Sequence, residues 1–358
     1  MRLLIYHIGS LGDTLVAVPA LWAVREAYPD AHITMLTDEQ PGASRIQPRD
    51  VLDGSGLIDD YILYPVGKPL AMARLLFRLR VGKFDSLIYL IHAPSGSRRI
   101  RRDACFFRLA GINRFVGTDG FTPYPPMQPG RPMPVVPHVA DTLLARLRAS
   151  GLQTSTTGRG RFDLNIGVSE QGRVDGWRSG LPDDGGKPWV AVGPGSKMPS
   201  KVWPYERYVT VLRRLIEDCD LWPIVFGGPS DRELGERMVL ELGRGYVPAG
   251  ALSVRESMAA MEKCVLYLGN DTGTMHMAVA SGLRCVALFS SRDYPGNWYP
   301  YGDGHEVLRT PVSCEGCMLE ECIDEGMRCM LSISVDQVLQ ACQKILHAQA
   351  SRPADEFR

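Results

Sequence analysis

The sequence has no uncharged apolar run near the roughly 18–20 residues that a membrane-spanning helix requires, so no transmembrane segment is expected. It has no net charge: 40 Lys and Arg stand against 40 Asp and Glu. With no recognised binding motif either, this speaks against a nucleic-acid partner. The opening glycine turn is not the G-x-G-x-x-G of a dinucleotide fold, and no Gly-Lys-Ser/Thr ends it as in a P-loop. The first residues reach Gly9 and Asp13 without the apolar stretch and cleavage site of an export signal. Nine cysteines, an odd number in such a chain, then point to a reduced, cytoplasmic setting rather than a disulfide framework.

What is present is an ordinary globular composition, 45% hydrophobic and 22% charged. A length of 358 residues exceeds what one core usually serves, so two domains are expected. The charge is uneven. Residues 1–165 hold 20 Lys and Arg against 14 Asp and Glu, and the remainder 20 against 26. A basic first half suits an anionic partner; uneven surface charge without a role is the plainer alternative.

Short β-rich runs alternate with helical stretches, the pattern of parallel α/β sheets. Arg2 to His7, His32 to Thr37 and Ser86 to His92 read as strands, and Thr14 to Tyr28 as one helix. Seven prolines between Pro123 and Pro137 exclude a helix or inner strand there. A second alternation starts at Trp189. Residues 154–188 hold ten glycines and prolines and read as the linker, with the boundary near 165. The expectation is an N-terminal Rossmann-like domain, 1–165, and a C-terminal one, 166–358, facing each other across a ligand cleft.

Three loops between strands and helices hold the candidate chemistry. Gly9-Ser10-Leu11-Gly12-Asp13 puts a carboxylate at a helix N-terminus, where Asp13 is either a cap or a general base. Gly193-Pro194-Gly195-Ser196, followed by Lys201 and Trp203-Pro204, offers amides, a hydroxyl and an ammonium, a set suited to a diphosphate. In Gly269-Asn270-Asp271-Thr272-Gly273 with His276, Asp271 or Thr272 is expected to cap the next helix, leaving amides near Gly273 for an anion.

Taken in order, Gly12-Asp13 with Pro19, Pro194-Gly195-Ser196 with Lys201-Trp203-Pro204, and Asp271-Thr272-Gly273 with His276 resemble glycosyltransferase family 9, the ADP-heptose:lipopolysaccharide heptosyltransferases. The resemblance runs over nearly the whole chain. It implies a GT-B fold, an acceptor-binding N-terminal half and a C-terminal half that binds the nucleotide sugar ADP-heptose. It further implies an inverting transfer without a metal cofactor, with Asp13 and Lys201 as catalytic residues. Gly12, Gly195, Ser196, Leu252, Asp271, Thr272, Gly273 and His276 would bind the donor. Pro229-Ser230-Asp231 stands where some relatives place a glutamate, and the core family pattern does not assign the segment Ser290 to Gly302, a candidate wall of the donor sugar pocket. Two other classes fit parts of the sequence: a non-catalytic nucleotide-sugar-binding scaffold, and an NAD-dependent dehydrogenase, which the missing glycine fingerprint disfavours.

Arg98, Arg99, Arg101 and Arg102 form the densest basic cluster. They are either a solvated helix face or a site for the anionic, lipid-linked saccharide acceptor that the family implies, with peripheral contact at the inner membrane. Cys314, Cys317, Cys322 and Cys329 are spaced C-x2-C-x4-C-x6-C. Structural Zn or Fe on four thiolates, reduced packing and a disulfide are the three readings this spacing leaves open.

Overall fold

Arg2–Tyr6, apolar from Leu3 onward without alternation, has the pattern of a strand covered on both faces. It forms the central strand β1 of the first sheet. The computed structural model describes residues 1–38, 46–65, 68–92, 97–127 and 131–350. These divide into two units: Met1–Pro126 with Pro137–Asn165, and Met127–Val136 with Ile166 onward.

In the N-terminal unit β1 (Arg2–Tyr6) is followed by α1 (Leu11–Val16), α2 (Val18–Ala27), β2 (His32–Asp38), α3 (Pro48–Leu52) and β3 (Asp60–Tyr64). Then come α4 (Pro69–Gly82), β4 (Ser86–Tyr89), α5 (Ser97–Leu109), β5 (Phe115–Val116) and α6 (Val139–Ala149). The sheet is parallel, in the order β3-β2-β1-β4-β5, with Leu4 level with Thr34 and Leu87. Leu4, Tyr6, Leu36, Leu87 and Tyr89 share one core with Leu75 and Leu79 of α4 and Phe107 of α5. Instead of one helix from Thr14 to Tyr28 there are two, separated at Ala17. Pro19, in the first turn of α2, lacks the N–H that would bond Leu15 and continue α1. The strand expected to reach His92 ends at Tyr89.

The C-terminal unit contains α7 (Val168–Ser179), β6 (Trp189–Gly193), α8 (Tyr205–Cys219), β7 (Trp222–Val225), α9 (Arg232–Leu242), α10 (Val254–Met261) and β8 (Cys264–Asn270). It continues with α11 (Gly273–Ala280), β9 (Cys285–Phe289), β10 (Glu306–Arg309), α12 (Arg328–Leu331) and α13 (Val335–Ala350). Its parallel sheet runs β10-β9-β8-β6-β7. Val190, Val192, Leu266, Leu268, Val286 and Leu288 pack against α8 and α13 in one buried cluster. The segment read as a linker holds the 12-residue helix α7, which packs on α10. Its two glycines, Gly172 and Gly176, obscured the periodicity, but Val174 is fully buried and Glu170 accepts from Gly167 N–H at the helix start. Residues 127–136, within the proline-rich stretch, cluster with this unit: Val136 N–H bonds Pro295 O at 2.9 Å. That stretch has no helix or strand among its described residues.

Candidate functional site

In the C-terminal sheet the chain leaves β6 towards β7 on one side, whereas β8 leads to β9 and β10 on the other. Ligands of parallel α/β sheets bind where such neighbouring strands send their chains apart, at the carboxyl ends. Gly193 and Gly269 are paired at that point, and the second and third loops start there.

Lys201 closes a short 3-10 turn, Pro199–Lys201, that Ser200 anchors through its N–H to Glu320 O and its hydroxyl to Leu319 O. Its Nζ lies 2.6 Å from Asp271 Oδ2, with the two side chains only 15% and 10% exposed. The ammonium is thus half of a nearly buried pair. It keeps two N–H donors for another ligand. Ser196 Oγ accepts from Met198 N–H at 3.2 Å, which leaves its own O–H to donate.

Thr272 is the N-cap of α11, in extended conformation, yet its side chain makes no capping bond. Asp271 is committed to Lys201. The expected side-chain cap is therefore absent, and the amides from Gly273 onward keep the donor capacity of an uncapped helix start. His276 is 2% exposed, its ring 6.2 Å from that of Trp298 and steeply inclined to it. This gives the Ser290 to Gly302 segment, unassigned from sequence, a place against α11. Phe289 and Tyr299 stack edge-on at 4.8 Å beside it.

Two further side chains join these loops. Asp231 Oδ2 accepts from Gly228 N–H at 2.8 Å, and a Cβ on Gly195 would sit 2.3 Å from Asp231 Oδ1. Only glycine permits that approach. Asn270, fully buried, donates to Pro194 O at 2.7 Å and accepts from Trp203 N–H and the Tyr208 hydroxyl. Sequence reasoning quoted both residues without giving either a role. The available signal was a lone carboxamide ending the apolar strand CVLYLGN. Leu252 is half-buried in a turn closed by its N–H to Pro248 O, and Gly250 of that turn packs on Pro229.

Asp13 lies in the first turn of α1, after β1, where the N-terminal sheet also sends its chain both ways. Its Oδ2 accepts from Ser10 N–H at 2.8 Å and from the Ser10 hydroxyl at 3.1 Å. The cap is real, but it occupies Oδ2 alone. A Cβ on Gly9 would fall 2.2 Å from Asp13 Cβ, so the turn is built around this side chain. His7 is buried nearby, its Nδ1 3.4 Å from Leu90 O and Nε2 3.4 Å from Thr14 Oγ1. Burial pushes its pKa down, opposed by the Asp13 carboxylate. Gly12 neighbours Asp13 in α1, so it lies in the N-terminal unit, whereas the other seven residues assigned to the donor lie in the C-terminal one.

The arginine cluster divides. Arg102 binds Asp103 at 2.8 Å and Arg99 lies 3.7 Å from it, while that buried carboxylate also accepts the Tyr89 hydroxyl. Arg98 and Arg101 are exposed. On α4, Leu70, Phe77 and Val81 point to solvent among Arg74, Arg78 and Arg80, with no acidic residue between Tyr64 and Lys83.

Of the three readings open for the four C-terminal cysteines, the tetrahedral thiolate site is the one that their placement does not match. Among the described residues, no three His, Cys, Asp or Glu side chains group as ligands for a metal ion. Cys317 is exposed, and Cys322 Sγ instead accepts from Met327 N–H. No helix of the described residues is long and apolar enough to cross a membrane.

Residues 166–328 match the family described as Glycosyltransferase family 9 (heptosyltransferase). Over 116 residues the chain is 28% identical to lipopolysaccharide heptosyltransferase 2 of Escherichia coli (strain K12), a match that covers 30% of this chain and 33% of that protein. The chain thus spans about a third of the length of that curated relative. Among solved structures, a family 9 glycosyl transferase from Veillonella parvula DSM 2008 superposes with a TM-score of 0.73 at 24% identity, covering 97% of each chain. The E. coli ADP-heptose LPS heptosyltransferase II superposes at 0.70 with 18% identity, over 98% of this chain and 100% of that one. The fold is therefore of the GT-B type, with two parallel five-stranded α/β sheets, as the resemblance implied.

Proposed function

We propose that this chain, whose residues 166–328 match glycosyltransferase family 9, is an inverting transferase that moves a heptose from ADP-heptose to a lipopolysaccharide inner-core or related saccharide acceptor. The observation that carries this reading is the Lys201–Asp271 pair set among the amides of Gly195, Ser196 and Gly273 at the carboxyl ends of β6 and β8. The name of the structurally similar E. coli enzyme, an ADP-heptose LPS heptosyltransferase, supports the donor and acceptor classes.

In this reading the diphosphate takes the two free N–H groups of Lys201, the Ser196 hydroxyl and the first-turn amides of α11. Leaving-group charge grows as the sugar–phosphate bond breaks, so donors already in place lower the barrier, each by roughly 3–4 kcal/mol where well aligned. They supply the positive potential that a divalent cation would otherwise bring, and transfer is assigned as metal-independent. Asp271, relieved of part of its pairing when phosphate approaches Lys201, can accept a sugar hydroxyl. Asp231, at the backbone of Gly195, is placed to accept from a ribose hydroxyl. Leu252, in the turn whose Gly250 lies against Pro229, is an apolar surface for the base. Thr272 and His276 flank the diphosphate at the start of α11. Asp13 is the general base: with Oδ2 held by Ser10, Oδ1 accepts the proton of the attacking hydroxyl, and inversion follows from a single displacement.

Arg98 and Arg101 are the acceptor-facing cations. With the apolar stripe of α4, they also favour peripheral contact with an anionic membrane surface, at about 1 kcal/mol per basic residue near the headgroups. The decisive assay is ADP release from ADP-heptose with and without a heptose-deficient lipopolysaccharide acceptor. Acceptor-dependent release supports the reading; ADP binding without turnover would make the chain a nucleotide-sugar-binding scaffold.

A further inference from the structure

We propose that Asn270 is a positioning residue, one side chain that holds the two donor loops, 193–203 and 269–273, in register; the inference rests on the donor-site reading above. Asn270 ends β8 and is fully buried, so it meets no substrate itself. Its Nδ2 donates to Pro194 O at 2.7 Å, two residues before Ser196. Its Oδ1 accepts from Trp203 N–H at 3.1 Å, two residues after Lys201, and from the Tyr208 hydroxyl at 2.9 Å. Asp271 is the next residue along the chain. The carriers of the hydroxyl, the ammonium and the carboxylate are thereby tied to a single carboxamide.

The residue type follows from these partners. A carbonyl demands a donor and an N–H demands an acceptor, so the group between them must be both at once, which also fixes its orientation. A carboxylate would set a charged oxygen against Pro194 O. An alkyl side chain would leave three buried polar groups without partners. The far end of the 201–203 segment is held as firmly: the Trp203 side chain is fully buried and its Nε1–H bonds Ile333 O at 3.0 Å. Loop segments fixed at both ends keep their donors aimed before the ligand arrives, and such pre-organisation lowers the cost of binding.

The test is a double-mutant cycle read by calorimetric titration of ADP into the folded full-length chain, with Asn270→Ser and Lys201→Ala. Each single change is expected to weaken ADP binding by about tenfold, and the double mutant by far less than the product, because Asn270 acts through the placement of Lys201. Donor KM should rise with acceptor KM unchanged. If Asn270→Ser does not fold, Tyr208→Phe takes its place. It keeps the ring, removes one bond to Oδ1, and should weaken ADP by about threefold, again non-additively with Lys201→Ala. Wild-type ADP affinity in the variant tested, or losses that multiply, overturns the inference alone. Unchanged affinity in Lys201→Ala overturns the donor-site reading, and this inference with it.

Discussion

Asp13 has one carboxylate oxygen in a cap, and the general-base role proposed for the other is separable from it by mutation. Asn at this position still accepts from Ser10 N–H, so Asp13→Asn should cost no more than about 1 kcal/mol in thermal unfolding while turnover falls at least about 10²-fold. Near-wild-type turnover would leave Asp13 as a cap only. Lys201 behaves differently. Its removal strands Asp271 in a nearly buried place, so Lys201→Ala should lose about 2–3 kcal/mol, much of it regained in Lys201→Ala with Asp271→Ala. A double mutant no more stable than the single one would show that the pair contributes little. Gly195→Ala inserts a Cβ that would meet Asp231 Oδ1 at 2.3 Å, so it should weaken ADP binding while acceptor KM stays constant.

At the level of elements, α7 and α10 are pinned by Glu170, whose carboxylate accepts from Gly167 N–H, the Ser169 hydroxyl and Arg255 Nε. The Ser169 hydroxyl bond is the largest cause, joined by the Arg255 guanidinium, and together they hold its pKa down at about 2. A depressed carboxylate stabilises the fold above its unfolded value, and that stabilisation is lost as pH falls from about 4.3 towards the folded value. Glu170→Gln should therefore lower the melting temperature at pH 7. The gap from wild type should close as unfolding is followed from pH 4.3 down to 2. A gap independent of pH would mean that packing, not charge, is what Glu170 supplies.

Across the molecule, the basic excess lies before residue 166 and the acidic excess after it. If the exposed arginines of α5 meet a phosphorylated acceptor, Arg98→Ala with Arg101→Ala should raise acceptor KM several-fold at low salt and leave donor KM alone. The difference should shrink above about 0.15 M salt, as screening sets in over roughly 8 Å. An acceptor KM that ignores both the substitution and salt removes this surface from the reaction. Hydrogen exchange offers a second check: ADP should slow exchange at 193–203 and 269–280, and a response confined to the N-terminal unit would contradict the donor assignment.

The repeating strand–helix pattern and the loops at the strand ends were legible because they rest on local signals. An uninterrupted apolar run such as Leu3–Tyr6 is buried in any parallel sheet, and a glycine turn between strand and helix marks its carboxyl end. The runs Arg2 to His7 and His32 to Thr37 are met within one residue by the strands Arg2–Tyr6 and His32–Asp38. The two-residue β5 and the half-buried β10 were not legible, since short edge strands bury too little to leave a pattern. Neither was α7, whose glycines and charges read as a linker until packing on α10 covered Val174. Arg146 is the clearest case among residues. It resembles any helical arginine in sequence, yet it is buried with bonds to the carbonyls of Tyr89, Ile91 and Gly117. The sequence by itself determined which residues have the chemistry to meet a diphosphate and which loops present them. The tertiary structure alone decided that Lys201 stands paired with Asp271, that two of four clustered arginines belong to Asp103, and that, among the described residues, the closely spaced cysteines do not gather as a set of metal ligands. Partners of a charge or a thiol are chosen by through-space distance, which spacing along a chain does not encode.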